Sequence, residues 1–256
     1  MRGDTLQHQW ICWLTLVILG MAWATRAEVM PARLPLESLQ YRIRLGPITV
    51  GTASLETIGL AEVDGRGCTI IRYTARSGPL LGAVYPVRDR ITSLVDTLDF
   101  RCHHLSKSIR EGSYREHRRW KLDHDEGHAS DERGILHPIA PGSHDVFSAL
   151  QRLRHHLPSP GQVVSLPVFL GGASDTLHIG VGKPRVIEGP LGTFSTLPME
   201  PILGGGGPFR HEGPVIVDVT LDQRRWPVRI TVQVPVVGKL VIELTRITPH
   251  GKQSSH

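Results

Sequence analysis

Histidine is the residue type that first suggests chemistry in this sequence, which contains 14 of them. The densest group is Cys102-His103-His104, and a looser series follows at His117, His124, His128 and His137. A zinc site needs four convergent donors, usually paired at short fixed spacings, whereas neighbours such as His103 and His104 on a strand point to opposite faces. His124 and His128 have helical spacing, but the acidic stretch between them contains Gly127 and is typical of a turn. The sequence therefore predicts neither a metal nor another cofactor.

Nucleophilic catalysis is the second chemistry that the residues could support. A Ser-His-Asp hydrolase needs its serine on a strained turn, and the G-x-S-x-G elbow is absent from this sequence. The nearest segments are "SHD" at 143–145 and "GGASD" at 171–175. Neither leads from an apolar strand into a helix in the required order, and Ser143 or Asp145 is better explained as a helix cap. We predict no catalytic residue, with a hydrolase of cell-envelope material as the alternative.

The first 24 residues predict export. A polar start with Arg2 precedes an apolar run that ends in Ala22-Trp23-Ala24, a small-residue cleavage site. The run from Trp10 to Ala24 has 15 residues, and crossing the hydrocarbon core takes about 20. We therefore predict a signal peptide at 1–24, a periplasmic protein and no transmembrane span in the mature chain. Cleavage after Ala27 and an uncleaved N-terminal membrane anchor are the alternatives.

Two cysteines, Cys68 and Cys102, lie beyond the signal peptide. In an oxidising compartment they could form a disulfide across a separation of 34 residues, stabilising the fold by roughly 3 to 4 kcal/mol on the loop-entropy model. Two separately buried thiols are the alternative, and the sequence leaves both open.

The formal net charge is +5 with histidine neutral. Export excludes nucleic acid as a partner and leaves lipid, lipopolysaccharide or another anionic envelope component. The low aromatic content of 5% also argues against base stacking. The candidate surface for an anionic partner contains seven basic residues: Arg115, Arg118, Arg119, Lys121, Arg224, Arg225 and Arg229. The structural alternative is that these side chains form the solvated outer face of a sheet, with Arg224 and Arg225 in a turn.

Short apolar runs separated by glycine and proline indicate antiparallel strands along most of the chain. Tyr41, Ile43 and Leu45 alternate with Arg42 and Arg44, and Gly46-Pro47 then predicts a hairpin turn. In the closing segment, Val228, Ile230 and Val232 share one face while Arg229 and Thr231 share the other. These alternations predict a sheet with one apolar and one polar face.

One helix is predicted at about 144–157, where Val146, Ala149, Leu150, Leu153 and Leu157 recur at helical spacing. It divides the β structure into a first part at 28–140 and a second at 161–247. The fold class is therefore mainly β, an antiparallel sandwich or open half-barrel with one amphipathic helix. Residues 28–247 form a single domain in this prediction, and 248–256 form a disordered tail.

The chain resembles the exported bacterial family catalogued as domain of unknown function 3108. The resemblance rests on "YRIRLGPITVGTASL", "ARSGPLLGAVYPVRDRITSLVD", "DVFSALQRLR", "GPLGTFSTLPMEP" and "LDQRRWPVRITVQVPVVGKLVIEL", in that order over residues 38–247. It implies an exported β-rich envelope protein and assigns no catalytic residue. Members usually carry a tryptophan-containing strand where this chain has Val215–Gln223. We expect a non-catalytic role, either binding of a lipid or other envelope component in a concave apolar pocket or a role in envelope assembly.

Overall fold

A computed structural model describes residues 35–203, 214–234 and 238–249. The predicted signal peptide and most of the predicted C-terminal tail lie outside the described residues. Thr248 and Pro249, which the prediction placed in the tail, end the last strand.

The described residues contain fifteen strands and two helices. The strands are β1 (Glu37–Leu45), β2 (Ile48–Val63), β3 (Arg66–Ser77), β4 (Arg88–Asp96), β5 (Cys102–Glu111), β6 (Tyr114–Asp123), β7 (His128–Asp131), β8 (Leu136–Pro138), β9 (Val163–Phe169), β10 (Ser174–Val181), β11 (Arg185–Gly189), β12 (Gly192–Leu203), β13 (Val215–Thr220), β14 (Pro227–Val234) and β15 (Gly238–Pro249). The helices are α1 (Pro79–Val84) and α2 (Val146–His155).

All the strands belong to one open, antiparallel sheet. Its order is β8-β7-β6-β5-β4-β3-β2-β1-β15-β14-β13-β12-β10-β9, with β11 paired to β12 beside this path. Pairing of β1 with β15 joins the first half of the chain to the second. The predicted mainly-β class is confirmed, and the single sheet corresponds to the open half-barrel rather than to the sandwich.

The sheet is curled, and its two distant parts pack on each other. The Trp120 and Phe169 rings meet edge to face at 5.9 Å between centroids. Near the two sheet edges, the Ser174 hydroxyl donates to the carbonyl of Pro138 at 2.6 Å. These contacts bring β9 and β10 beside β6 and β8 without adding a strand pairing, so the barrel stays open.

Helix α2 packs on the apolar face of the sheet. Phe147 and Leu150 contact the cluster built around Leu39 and Leu244, and the Phe147 ring stacks on Tyr73 at 4.9 Å. The helix begins after Asp145, whose carboxylate accepts from the backbone N–H groups of residues 147 and 148 in a capping box. Neither helix in the described ranges has the length and apolar character needed to cross a bilayer.

The short helix α1 corrects the expectation of a single helix. Its six residues are too few to show a helical period, and the sequence prediction therefore missed it. Helix α1 lies at one end of the sheet together with two hairpin turns. We call this end the rim, formed by residues 46–47, 78–87 and 112–113. Gly46 and Gly112 turn the chain there with φ of 56° and 53°, values that favour glycine.

Candidate functional site

A row of arginines crosses the polar face of the sheet just behind the rim. Successive directly opposed pairs define it: Arg88 with Arg76, Arg76 with Thr52, Thr52 with Arg42, Arg42 with Glu243, Glu243 with Arg229, and Arg229 with Asp218. Opposed residues in an antiparallel pair point to the same face, so these side chains share one surface. We call this set the arginine row.

The row continues across β5 and β6. Val87 and Arg90 lie opposite Glu111 and Ser108, which places Arg110 beside Arg88 in the same register. Arg110 in turn lies opposite Arg115. The arginine row therefore extends from β6 to β13.

In one part of the row the charges are neutralised. Glu243, with 7% of its side chain exposed, accepts from Arg229 at 3.1 Å and from Arg42 at 3.5 Å, and lies 3.4 Å from Nε of Arg44. Arg185 forms two parallel hydrogen bonds of 2.8 and 2.7 Å with the buried Asp218 carboxylate. This hydrogen bonding raises the pKa of Arg185. We call these six residues the paired half.

The other part consists of Arg76, Arg88, Arg110 and Arg115, which we call the open half. All four residues are exposed. Among the described residues, none of the four forms an ion pair with a carboxylate, and Arg115 donates only to the backbone carbonyls of residues 112 and 114, both at 2.7 Å. Four uncompensated guanidinium groups on one face form a site suited to phosphate or carboxylate groups of a ligand.

The structure divides the predicted anionic-partner surface. Arg115, Arg119 and Lys121 are exposed on one face of β6, while Arg118 lies opposite Lys107 and shares the other face with Trp120. Arg224 and Arg225 lie between β13 and β14, and Arg229 belongs to the paired half. The predicted residues thus do not form one patch.

Arg224 and Arg225 have structural contacts in their turn. Arg224 forms an ion pair with Asp222 at 2.5 Å, and its guanidinium carbon lies 4.2 Å from the centre of the Trp226 ring. The backbone carbonyl of Arg225 accepts from Nε of Arg154 at 2.8 Å. These contacts favour the structural alternative for the side chain of Arg224, whereas Arg225 contributes its backbone carbonyl.

Sequence reasoning missed Arg76, Arg88 and Arg110. Arg76 and Arg88 stand close to the two ends of the β3–β4 connection, and Arg110 lies two residues before Gly112. Their shared position beside turns at the same end of the sheet was the signal that could have identified them.

The candidate disulfide is absent, because Cys68 and Cys102 are buried free thiols. Cys102 lies opposite Val95 and Cys68 lies opposite Asp96. Since consecutive strand residues point to opposite faces, the two thiols lie on opposite sides of the sheet. The alternative of separately buried thiols describes this structure.

His103 and His124 have structural partners. Nε2 of His103 lies 3.2 Å from Oδ2 of Asp96, and Nε2 of His124 lies 2.8 Å from the carbonyl of Cys102. Burial lowers the pKa of His124 despite that hydrogen bond. Within the described ranges, no three His, Cys, Asp or Glu side chains converge as they would around a metal ion.

The expectation that His103 and His104 point to opposite faces is wrong. The β4–β5 register shifts between Leu94 and Val95, so that His103 is the extra residue of a bulge. Leu94 and Asp96 share a face of β4, and they contact His104 and His103 respectively. The bulge interrupts the alternation and places both rings on one side.

The "SHD" segment also serves structure. Ser143 donates to the carbonyl of Ala140 at 2.7 Å, Nδ1 of His144 lies 2.7 Å from the carbonyl of Phe100, and Asp145 caps α2. Burial lowers the pKa of His144, which favours its neutral form. Each group is therefore committed to a backbone partner rather than to its neighbours in a catalytic array.

The concave face holds α2 where a ligand pocket was expected. Two grooves of about 410 and 430 Å³ lie elsewhere. The first is lined by Gly180, Arg185 and Glu200, and the second by Phe194 and Arg224, among others. No residue of the open half lines either groove, so the arginines act as an exposed surface.

The chain matches one protein family and is similar to solved structures. The family model described as DUF3108, protein of unknown function, matches residues 40–245. The chain is similar to a beta-barrel-like protein of domain of unknown function DUF1849 from Brucella abortus, with a TM-score of 0.58 and 11% identity over 86% of this chain and 99% of that one. It is also similar to a protein with a YmcC-like fold from Bacteroides fragilis, with a TM-score of 0.40 and 10% identity over 84% and 97% of the two chains. No curated protein matches the chain.

Proposed function

We propose that this chain, which belongs to the DUF3108 family, is a non-catalytic protein of the bacterial cell envelope that binds an anionic envelope component on its surface. The open half of the arginine row is the binding site. Export is inferred from the signal-like N-terminus, and it limits the partners to molecules of the envelope.

The single observation that supports this proposal is the contrast between the two halves of the row. In the paired half, Arg42, Arg44, Arg185 and Arg229 form ion pairs with Glu243 or Asp218 and so stabilise the sheet. The open half instead presents four charges without a carboxylate partner among the described residues. Neighbouring like charges repel unless an anion lies between them, so a bound phosphate would relieve the repulsion.

The paired half has a supporting role. Glu243 lies between β1 and β14, the two strands that flank β15, and its ion pairs connect all three strands. This network fixes the register on one side of β2, while the open half lies on the other side. The site is therefore built on strands rather than on loops, which fixes the separations of the backbone positions that carry the arginines.

Binding of long-chain polyphosphate, a soluble polyanion, tests the proposal. A basic residue near an anionic surface contributes about 1 kcal/mol, so the double variant Arg76→Gln/Arg88→Gln is expected to bind about thirtyfold more weakly. The control is Arg66→Gln/Lys121→Gln, which removes the same charge from exposed positions at the other end of β3 and β6. Equal losses in the two double variants would show that only net charge matters, and would reject the site.

A further inference from the structure

Helix α1 leaves two of its apolar side chains, Leu80 and Val84, largely in solvent. None of its six residues is buried, and Leu80 and Val84 are 74% and 83% exposed. A helix of a folded domain normally covers part of the core with its apolar side chains. In the described part of the chain Leu80 and Val84 cover no core residue and are available to a partner.

The connection that contains α1 is held in a defined position. Gly78 donates its backbone N–H to the carbonyl of Val50 at 2.7 Å, and Gly112 donates to the carbonyl of Pro86 at 2.9 Å. A Cβ added at Gly112 would lie 2.6 Å from Cε2 of Tyr85, so the Tyr85 ring packs directly on that glycine. The helix is thus tied to the hairpins on both sides of it and projects from the rim.

Further apolar side chains are exposed at the rim. Ile48, beside the β1–β2 turn, is 52% exposed, and Tyr114, beside the β5–β6 turn, is 55% exposed. With Leu80, Val84 and Tyr85 they form what we call the apolar tip. These five side chains come from three separate turns that the sheet brings to one end.

The apolar tip and the open half are adjacent. Arg76 lies two positions before the β3–β4 connection, Arg88 follows it directly, and Arg110 and Arg115 flank the β5–β6 turn. The carboxyl groups in this region are Asp89, Glu111 and Glu116, fewer than the four arginines of the open half. Positive charge therefore surrounds the exposed apolar side chains.

We infer that the rim docks on an anionic phospholipid bilayer, with the apolar tip entering the boundary of the acyl chains and the open half contacting lipid phosphates. This inference rests on the proposed function and identifies its partner as a membrane surface. Apolar side chains in front of basic ones match the order of layers in a bilayer, where acyl chains lie below the phosphates. A soluble polyanion would use the arginines and would have no contact for Leu80 and Val84.

Vesicle binding of the purified protein tests the inference. The vesicles contain equal amounts of phosphatidylcholine and phosphatidylglycerol, or phosphatidylcholine alone. We expect binding to the anionic vesicles, with Leu80→Ser/Val84→Ser weakening the affinity at least about tenfold because two apolar side chains no longer enter the bilayer. The control is Leu60→Ser/Val163→Ser, at positions that are 61% and 71% exposed away from the rim, and it is expected to bind as the unsubstituted protein does.

Three results would overturn the inference. One is an unchanged vesicle affinity of Leu80→Ser/Val84→Ser while Arg76→Gln/Arg88→Gln binds more weakly, which would leave the anion site standing without the bilayer. Another is equal binding to both kinds of vesicle. The third is loss of polyphosphate binding in Leu80→Ser/Val84→Ser, because the apolar tip should not affect binding of a soluble polyanion. Failure of the unsubstituted protein to bind polyphosphate would instead reject the proposed function itself.

Discussion

Arg154 on α2 donates to Oε1 of Glu37 on β1 at 2.6 Å, across 117 positions of the sequence. Only 5% and 8% of the two side chains are exposed. The second oxygen of Glu37 accepts from the indole N–H of Trp226 at 2.9 Å, and Arg154 also donates to Gln151 at 2.9 Å. This buried network joins the helix, the first strand and the segment that precedes β14.

Replacing one partner of this ion pair is expected to destabilise the fold strongly. Glu37→Gln leaves the Arg154 guanidinium buried without its counter-charge, which costs about 3 to 5 kcal/mol of the free energy of unfolding. The exposed ion pair between Arg66 and Asp125, at 3.9 Å, provides the control. Arg66→Gln should cost less than about 1 kcal/mol. Urea unfolding measures both, and similar losses would show that the buried pair has no special weight.

Gly171 is expected to tolerate no side chain. It has a φ of +85°, and an added Cβ would lie 2.9 Å from both Nζ of Lys107 and Cη2 of Trp120. Gly134 has a φ of +77° but nothing within 4 Å of an added Cβ. Gly134→Ala thus measures backbone strain alone, about 1 kcal/mol, and Gly171→Ala should lose roughly 1 to 3 kcal/mol more through overpacking. Equal thermal midpoints for the two variants would contradict the packing described here.

The raised pKa of Asp89 predicts that the stability of the fold depends on pH. Burial is the main cause that raises its pKa from 3.8 to about 6, and the neighbouring Glu111 adds to the effect. Because the folded state holds the proton more tightly than the unfolded chain, this contribution to stability is present below pH 4 and is lost as the pH rises through 6. As the pH rises from about 4 to 6, the unsubstituted protein should therefore lose stability relative to Asp89→Asn. If the free energy of unfolding changed with pH in the same way for both proteins, the prediction would be contradicted.

The two buried thiols should be unreactive in the folded protein. Burial raises the pKa of Cys68 to about 11 and that of Cys102 well above its ordinary value. Since the thiolate is the reactive form, an aromatic disulfide reagent should label neither thiol until the protein unfolds. The Cys12→Ser variant leaves only these two thiols. Rapid labelling before denaturant is added, or fewer than two thiols afterwards, would disagree with the structure.

Strand faces could be predicted from the sequence because alternation is a local property. As expected, Arg42 and Arg44 point to one face of the sheet and Tyr41 and Ile43 to the other. Trp120 shares its face with Leu122. The same reasoning failed at His103, where the bulge adds a residue that no local pattern announces.

The candidate site itself could not be predicted in this way. The open half depends on the register that places Arg76 opposite Arg88 and Arg110 opposite Arg115. The paired half depends on register between strands that are distant in sequence, such as Arg42 opposite Glu243. Alternation shows which face a side chain takes but leaves its neighbour across the sheet undetermined. Neither the division into a paired and an open half nor the grouping of apolar residues from three turns follows from the sequence alone.

The salt dependence of polyphosphate binding tests the central claim most directly, because its slope reports how many charged contacts the complex contains. The account predicts that affinity falls steeply with salt for the unsubstituted protein and for Arg66→Gln/Lys121→Gln, and clearly less steeply for Arg76→Gln/Arg88→Gln. The same slope in all three proteins would contradict it, since the open half would then make no contact with the bound anion.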